Sequence, residues 1–151
     1  MPLPIHRRAA TDSDAMRGLN EVFAIAFEDD VSYRSAKPSD AYLARLLAKP
    51  EVVVLVAKDG DTVVAGLVAY ALEKLEQERA ELYVYDLAVR DSHRRRGIAT
   101  ALLRELGRIA KTMGAWVMYV QADHGDAPAI ALYESLGTRE EVLHFDIPPE
   151  G

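Results

Sequence analysis

Leu82-Tyr83-Val84-Tyr85-Asp86-Leu87-Ala88-Val89, followed by Arg94-Arg95-Arg96-Gly97-Ile98-Ala99-Thr100-Ala101-Leu102-Leu103, is the stretch that decides the fold. The first run is apolar and aromatic, the composition of a β-strand. The second opens a helix, with Leu102, Leu103, Leu106, Ile109 and Met113 on one face and Arg104, Glu105, Arg108 and Lys111 on the other. Between them lies a turn. Gly97 has no Cβ, so backbone can approach a ligand closely there. A helix N-terminus carries unpaired N–H groups and a partial positive charge, a seat for an anion such as a pyrophosphate. Arginine adds long-range charge and hydrogen bonds. The same residues also read as an ordinary helix start with a solvated basic run. They form neither a Walker P-loop nor a three-glycine dinucleotide fingerprint.

Working outward, Trp116 to Ala122 reads as the next strand, Pro128 to Leu136 as a short helix stopped at Gly137, and Glu141 to Ile147 as a last strand. On the other side, Val52 to Ala57 and Val63 to Leu72 are strands joined at the hairpin signal Asp59-Gly60. Glu73 to Arg79 is a polar loop. Further back, Met16, Leu19, Phe23 and Phe27 recur at helical spacing, with Thr11 and Asp14 resembling a capping box. Glu28, Asp29 and Asp30 close that helix. Ser39 can cap a second helix carrying Leu43, Leu46 and Leu47, and Ile5 to Ala9 suits a first short strand. The order β, α, α, β, β, β, α, β, α, β predicts an α/β fold with a mixed sheet.

The length, 151 residues, fits one domain spanning 1–151. Half of the residues are hydrophobic, which excludes a largely disordered chain. No apolar run is long enough for a bilayer, and Met1 to Ala10 lacks a signal-peptide pattern. Cysteine is absent, which removes disulfides, thiolate metal sites and a cysteine nucleophile. The expected compartment is the cytoplasm, although a chain without cysteine is also compatible with export. A net charge of −6 disfavours sequence-independent nucleic-acid binding, which needs excess Lys and Arg facing phosphates, and it favours a cationic partner. His6, His93, His124 and His144 lack metal-type spacing, so no metal site is expected.

Arg94-x-x-Gly97-x-Ala99 resembles the Q/R-x-x-G-x-G/A acyl-CoA motif of the GNAT superfamily of N-acetyltransferases. Asp126-x-x-Ala129-x-x-x-Tyr133-x-x-x-Gly137 resembles the superfamily's N-x-x-A-x-x-x-Y-x-x-x-G helix, with Asp in place of the usual Asn. The resemblance implies a central mixed, mostly antiparallel sheet with splayed strands flanked by helices, and acetyl-CoA as co-substrate. It puts pantetheine contacts on Leu87, Ala88 and Val89. Pyrophosphate contacts fall on Arg95, Arg96, Gly97, Ile98, Ala99 and Thr100, with Arg94 at the first motif position and Asp126 and Ala129 as further cofactor contacts. A narrower resemblance is to type I aminoglycoside 3-N-acetyltransferases. It is carried by Tyr85-Asp86-Leu87-Ala88-Val89, His93-Arg94-Arg95, Tyr119-Val120-Gln121-Ala122-Asp123, Ala131-Leu132-Tyr133, Arg139-Glu140-Glu141-Val142 and His144-Phe145-Asp146-Ile147. It implies acetylation of the 3-amino group of gentamicin-type aminoglycosides, hence antibiotic resistance. A polyamine or protein amine as substrate, or a non-catalytic acyl-CoA-binding module, are the competing readings.

Acetyl transfer to an amine requires loss of an ammonium proton, stabilisation of the thioester oxygen and a proton for the departing thiolate. Without cysteine, direct attack by the amine is the simplest route. Asp86 interrupts an apolar strand, where a carboxylate is unusual unless it pairs or works. It reads as general base or as the group that orients the amine; it also reads as an Asp directed to solvent or bonded to a neighbouring loop. Tyr133 is the candidate acid, as the resemblance implies. Glu28, Asp29, Asp30, Asp123, Asp126 and Asp146 are candidate contacts for a polycation, each also readable as a solvated carboxylate. The chain after Gly137 has room for one strand, so either a shortened hairpin or a second subunit of a homodimer would complete the site.

Overall fold

The computed structural model describes residues 2–150, so Met1 and Gly151, the outermost positions of the expected domain, lie outside the described residues. The chain forms two compact units, residues 1–121 and 122–151.

In the first unit the elements run β1 (Ile5–Arg7), α1 (Ser13–Ala26), α2 (Asp30–Arg34), α3 (Asp40–Leu47), β2 (Val52–Asp59), β3 (Thr62–Glu73), β4 (Ala80–Val89), α4 (Ile98–Thr112) and β5 (Ala115–Val120). A single 3-10 turn, Asp91–His93, links β4 to the turn before α4. The sheet order is β1-β2-β3-β4-β5. The first three pairings are antiparallel and β4 with β5 is parallel, which makes the expected mixed sheet. The second unit contains α5 (Ala127–Leu136).

The period-2 pattern of the strands divides the sheet into two faces. Val54, Val56 and Val68 join Met16, Leu19, Val22 and Phe23 of α1 and Leu43 and Leu47 of α3 in one core cluster. Gly66 lies on that face; a Cβ there would come within 2.5 Å of the Leu55 carbonyl oxygen and 2.6 Å of Leu19. Only glycine lets α1 settle so close. On the opposite face α4 packs its buried Leu102, Leu103, Leu106 and Ile109. Fully buried Leu55, Leu67 and Leu82 belong to that second layer.

Three local expectations are corrected. Thr11 and Asp14 do not form a capping box: Asp12 is the residue before α1, and its carboxylate accepts from the Ala9 N–H at 2.8 Å. Glu28, Asp29 and Asp30 do not merely end the first helix. Glu28 takes a left-handed φ of 51°, which turns the chain, and Asp29 caps the additional short helix α2 by accepting from Ser32 N–H at 3.0 Å. The third correction is the last strand: residues 141–147 are neither strand nor helix. A strand needs a neighbour for its N–H and C=O groups, and the described residues of the second unit, taken alone, offer a helix but no strand. By contrast Ser39 caps α3 as expected, accepting from Tyr42 N–H at 3.1 Å. Gly114, with φ of 73°, follows the C-cap of α4.

Candidate active site

The site is built around β4. Its pairing with β3 is regular from Glu73↔Ala80 to Ala69↔Val84, then slips so that Val68 faces Asp86. Tyr85 is therefore the extra residue of a β-bulge. In a regular ladder Asp86 would oppose Leu67, on the face that α4 covers. The bulge moves it beside Val68, onto the α1–α3 face. A carboxylate that would otherwise enter an aliphatic core thus gains a polar partner: the Tyr33 hydroxyl of α2 donates to Asp86 Oδ1 at 2.9 Å. Burial pushes the Asp86 carboxyl above its ordinary value, and the Tyr33 hydrogen bond offsets part of that rise. Burial and the Asp86 carboxylate hold the Tyr33 phenol well above its own ordinary value, so it remains a donor at neutral pH.

Tyr33 was not foreseen, because nothing in the sequence signals α2. The helix buries no residue of its own. Arg34 fastens it, donating to Glu21 of α1 at 2.8 Å and to Asp30 at 2.6 Å. The Tyr33 ring lies 5.7 Å from Phe23 and 5.9 Å from Phe27, centroid to centroid. Sequence offered only a Phe23–Phe27 helical repeat and a nearby acidic cluster.

Past Val84, no strand among the described residues pairs with β4 on its β5 side. The parallel register ends at Val84↔Val120, whereas pairing to β3 continues to Ala65↔Val89. Leu87, Ala88 and Val89 thus line an open strand edge, where an extended amide-bearing chain can form backbone hydrogen bonds. At the end of this edge comes the turn. Arg95 and Gly97 adopt left-handed φ of 62° and 73°, and Arg96 between them does not. Alternating handedness directs successive N–H groups to one point, an anion-binding concavity, and the N-terminus of α4 adds its partial charge. Arg94, Arg95, Arg96 and Gly97 are all exposed, and among the described residues nothing beyond the adjoining chain lies within 4 Å of where a Gly97 Cβ would be. Arg94 is drawn to Asp91 at 3.1 Å. A groove of about 620 Å³ continues from Gly97, Thr100 and Ala101 along Arg104 and Arg108 of α4. A second hollow of about 210 Å³ lies between Val22, Ile25 and Ala26 of α1 and Val89 to Ser92. The donor set of edge, amide cradle and arginines suits a pyrophosphate-bearing amide chain, so the residues fit an acyl-CoA.

In the second unit, Asp126 accepts from the Ala129 N–H at 3.3 Å and so caps α5. Burial, reinforced by the Asp126 carboxylate, pushes the Tyr133 phenol up to about 12. The acidic residues differ in how committed they are: Asp29 caps α2, Asp30 holds Arg34, and Asp146 lies 2.8 Å from His144 Nε2. Glu28 and Asp123 are exposed. His93 is placed structurally, between Ser92 at 2.7 Å and Asp59 at 2.9 Å.

A family model described as the Acetyltransferase (GNAT) family matches residues 19–138. The chain belongs to the GNAT acetyltransferase family. Among solved structures, an aminoglycoside acetyltransferase, HMB0005, from an uncultured soil metagenomic sample is 47% identical, with a TM-score of 0.96 over 99% of this chain and 100% of that one. A second from such a sample, meta-AAC0020 in complex with sisomicin, is 30% identical, with a TM-score of 0.89 over 98% of this chain and 97% of that one. Among curated proteins, the ribosomal protein bS18-alanine N-acetyltransferase of Salmonella typhimurium is 31% identical over 55% of this chain and 55% of its own length. Rat N-acetyltransferase 8B is 29% identical over 60% of this chain and 40% of its own. The chain thus spans about half the length of the curated relatives it matches. Among the described residues, no helix is long and apolar enough to cross a membrane.

Proposed function

We propose that this GNAT protein catalyses acetyl-CoA-dependent N-acetylation of an aminoglycoside, at the 3-amino group of the 2-deoxystreptamine ring of gentamicin-type drugs, and so confers resistance. The observation that carries the chemistry is Asp86, set by the bulge at the head of an open strand edge that leads to the anion cradle. Bound acetyl-CoA supplies an activated acetyl thioester. The N–H groups from Arg95 to Thr100 hold the pyrophosphate, and the open edge at Leu87 to Val89 pairs with the pantetheine arm. Asp86 accepts the proton that the substrate ammonium must lose, while Tyr33 fixes the carboxylate. Tyr133, still protonated at neutral pH, supplies the proton to the departing thiolate. That role rests on the family resemblance, as do the cofactor contacts of Asp126 and Ala129.

The aminoglycoside assignment is supported by likeness to the two soil acetyltransferases across nearly the whole chain. Net charge of −6 suits a polycation, with Glu28, Asp29, Asp30, Asp123, Asp126 and Asp146 as the acidic candidates. We take the two compact units to serve one domain, because the family match crosses their boundary at Gln121. Val142, Leu143, Phe145 and Ile147 are 69–86% exposed, an apolar row that burial in a homodimer would stabilise. The cytoplasm, where acetyl-CoA is abundant, is the proposed place of action. One test decides the substrate: incubate the purified protein with acetyl-CoA and gentamicin and locate the acetyl group by NMR. Acetylation at another amine overturns the regiochemistry alone. A second reading, acetylation of a protein N-terminal amine, is favoured by the similarity to the ribosomal-protein alanine acetyltransferase. Turnover of a peptide, with none of any aminoglycoside, would establish it.

A further inference from the structure

Where α1 and α3 cease to cover the sheet, the residues facing that side change from valine to tyrosine. Val54 pairs with Val68 beneath α1, and both are buried. One strand-period further along, Tyr70 of β3 faces Tyr83 of β4, and Tyr83 faces Tyr119 of β5, one continuous row across three strands. Tyr83 and Tyr119 are stacked with centroids 4.7 Å apart and planes 10° from parallel. Tyr85, the bulge residue, lies 5.4 Å from Tyr83 and meets Tyr70 edge-on at 6.1 Å. The same bulge puts Asp86 at the end of this wall, and the Tyr83 hydroxyl is anchored by donating to Gln121 at 2.8 Å. Tyr85 is 61% exposed and Tyr70 38%. Four of the seven tyrosines of the chain are thus spent on one open face, which aliphatic residues would fill if packing were the only demand.

We propose that Tyr70, Tyr83, Tyr85 and Tyr119 form the floor of the acceptor site and hold amino-sugar rings distal to the reacting amine. The proposal rests on Asp86 acting on the acceptor side. Aromatic faces take the C–H faces of sugar rings by apolar contact. The negative quadrupole of each ring attracts an ammonium group. A carboxylate at one end and a graded aromatic strip beside it select a cationic, ring-built, elongated ligand. A nucleic-acid strand, which also stacks on aromatic rings, needs cations along its backbone, and here the neighbouring charge is Asp86. Specificity for multi-ring over single-ring amines therefore resides in Tyr119 and Tyr83, farther from Asp86, and not in the acidic loops alone.

The test is calorimetric titration of gentamicin, and of 2-deoxystreptamine as a single-ring probe, into wild type, Tyr85→Leu, Tyr119→Leu and Tyr85→Phe, with acetyl-CoA affinity of each as the fold control. Loss of one ring should weaken gentamicin binding about 2- to 30-fold, the span of exposed to desolvated cation–π contacts. Tyr85→Phe should hold within about 2-fold, because the ring face persists. Tyr119→Leu should leave 2-deoxystreptamine unaffected and should raise KM for gentamicin far more than it lowers kcat. Should a leucine variant not fold, the tyrosine ultraviolet difference spectrum of wild type on adding gentamicin gives the same answer, with no perturbation counting against the wall. Unchanged gentamicin affinity in both leucine variants overturns this floor and leaves aminoglycoside acetylation standing. Absence of gentamicin binding and turnover in wild type overturns both. Altered sedimentation of the leucine variants with unaltered affinity overturns the proposal in favour of a face buried between copies.

Discussion

Replacing Asp86 by asparagine keeps the shape and removes both charge and basicity. If the carboxylate accepts the ammonium proton, turnover falls by about 10²–10⁴-fold, the worth of a positioned acid or base. Acetyl-CoA affinity stays, because Asp86 is not among the groups assigned to it. The hydrogen bond from Tyr33 gives a finer version of the test. It favours the charged carboxylate, so Tyr33→Phe raises the Asp86 pKa further. A hydrogen bond to a charged group contributes about 1.5 kcal/mol at the low end, the proper choice here because Asp86 is only half-buried. At 1.36 kcal/mol per pH unit this is about one unit. A base works only when deprotonated, so kcat/KM rises with pH through the Asp86 pKa. Tyr33→Phe moves that acid limb upward by about one unit, slowing the enzyme about 10-fold below the limb and little above it. The assay is thiolate release from acetyl-CoA under subsaturating amine, followed across pH. Near-wild-type rates for Asp86→Asn at every pH, or an acid limb that moves down in Tyr33→Phe, would refute the reasoning.

Gly97→Val puts a β-branched residue where φ is 73°, which costs about 1–2 kcal/mol in backbone alone and also places bulk against the phosphate. Acetyl-CoA affinity, measured by calorimetry, should fall at least about 10-fold, while Gly97→Asn, which tolerates that φ, should lose less. Tyr133→Phe deletes only a hydroxyl and should lower turnover rather than acetyl-CoA affinity; an unchanged rate in single-turnover kinetics would remove its acid role. Gly66→Ala brings a Cβ to 2.5 Å from the Leu55 carbonyl oxygen. It should destabilise the fold by about 1–3 kcal/mol, read by urea denaturation.

How much of the site was legible in the sequence depended on the range of the interactions that set it. Short-range patterns determined most elements: the valine run of β2, the Asp59-Gly60 hairpin, the amphipathic stripe of α4 and the strand–turn–helix around Gly97 all follow from local sterics and 2- or 3.6-residue periodicity. The same sequence identified Asp86 as a carboxylate out of place in an apolar strand. It could not say which face that carboxylate takes, because the direction turns on a one-residue slip between β3 and β4, and register is a property of two strands together. Nor could it find Tyr33, brought to Asp86 across 53 residues of chain by a five-residue helix with no apolar stripe of its own. The tyrosine row was equally hidden, since Tyr70, Tyr83 and Tyr119 become neighbours only when three strands align. The apolar pattern of Val142 to Ile147 looked like a strand, yet alternation supplies only a face to bury. The hydrogen-bonding neighbour that makes a strand comes from tertiary structure, and none is paired with it among the described residues.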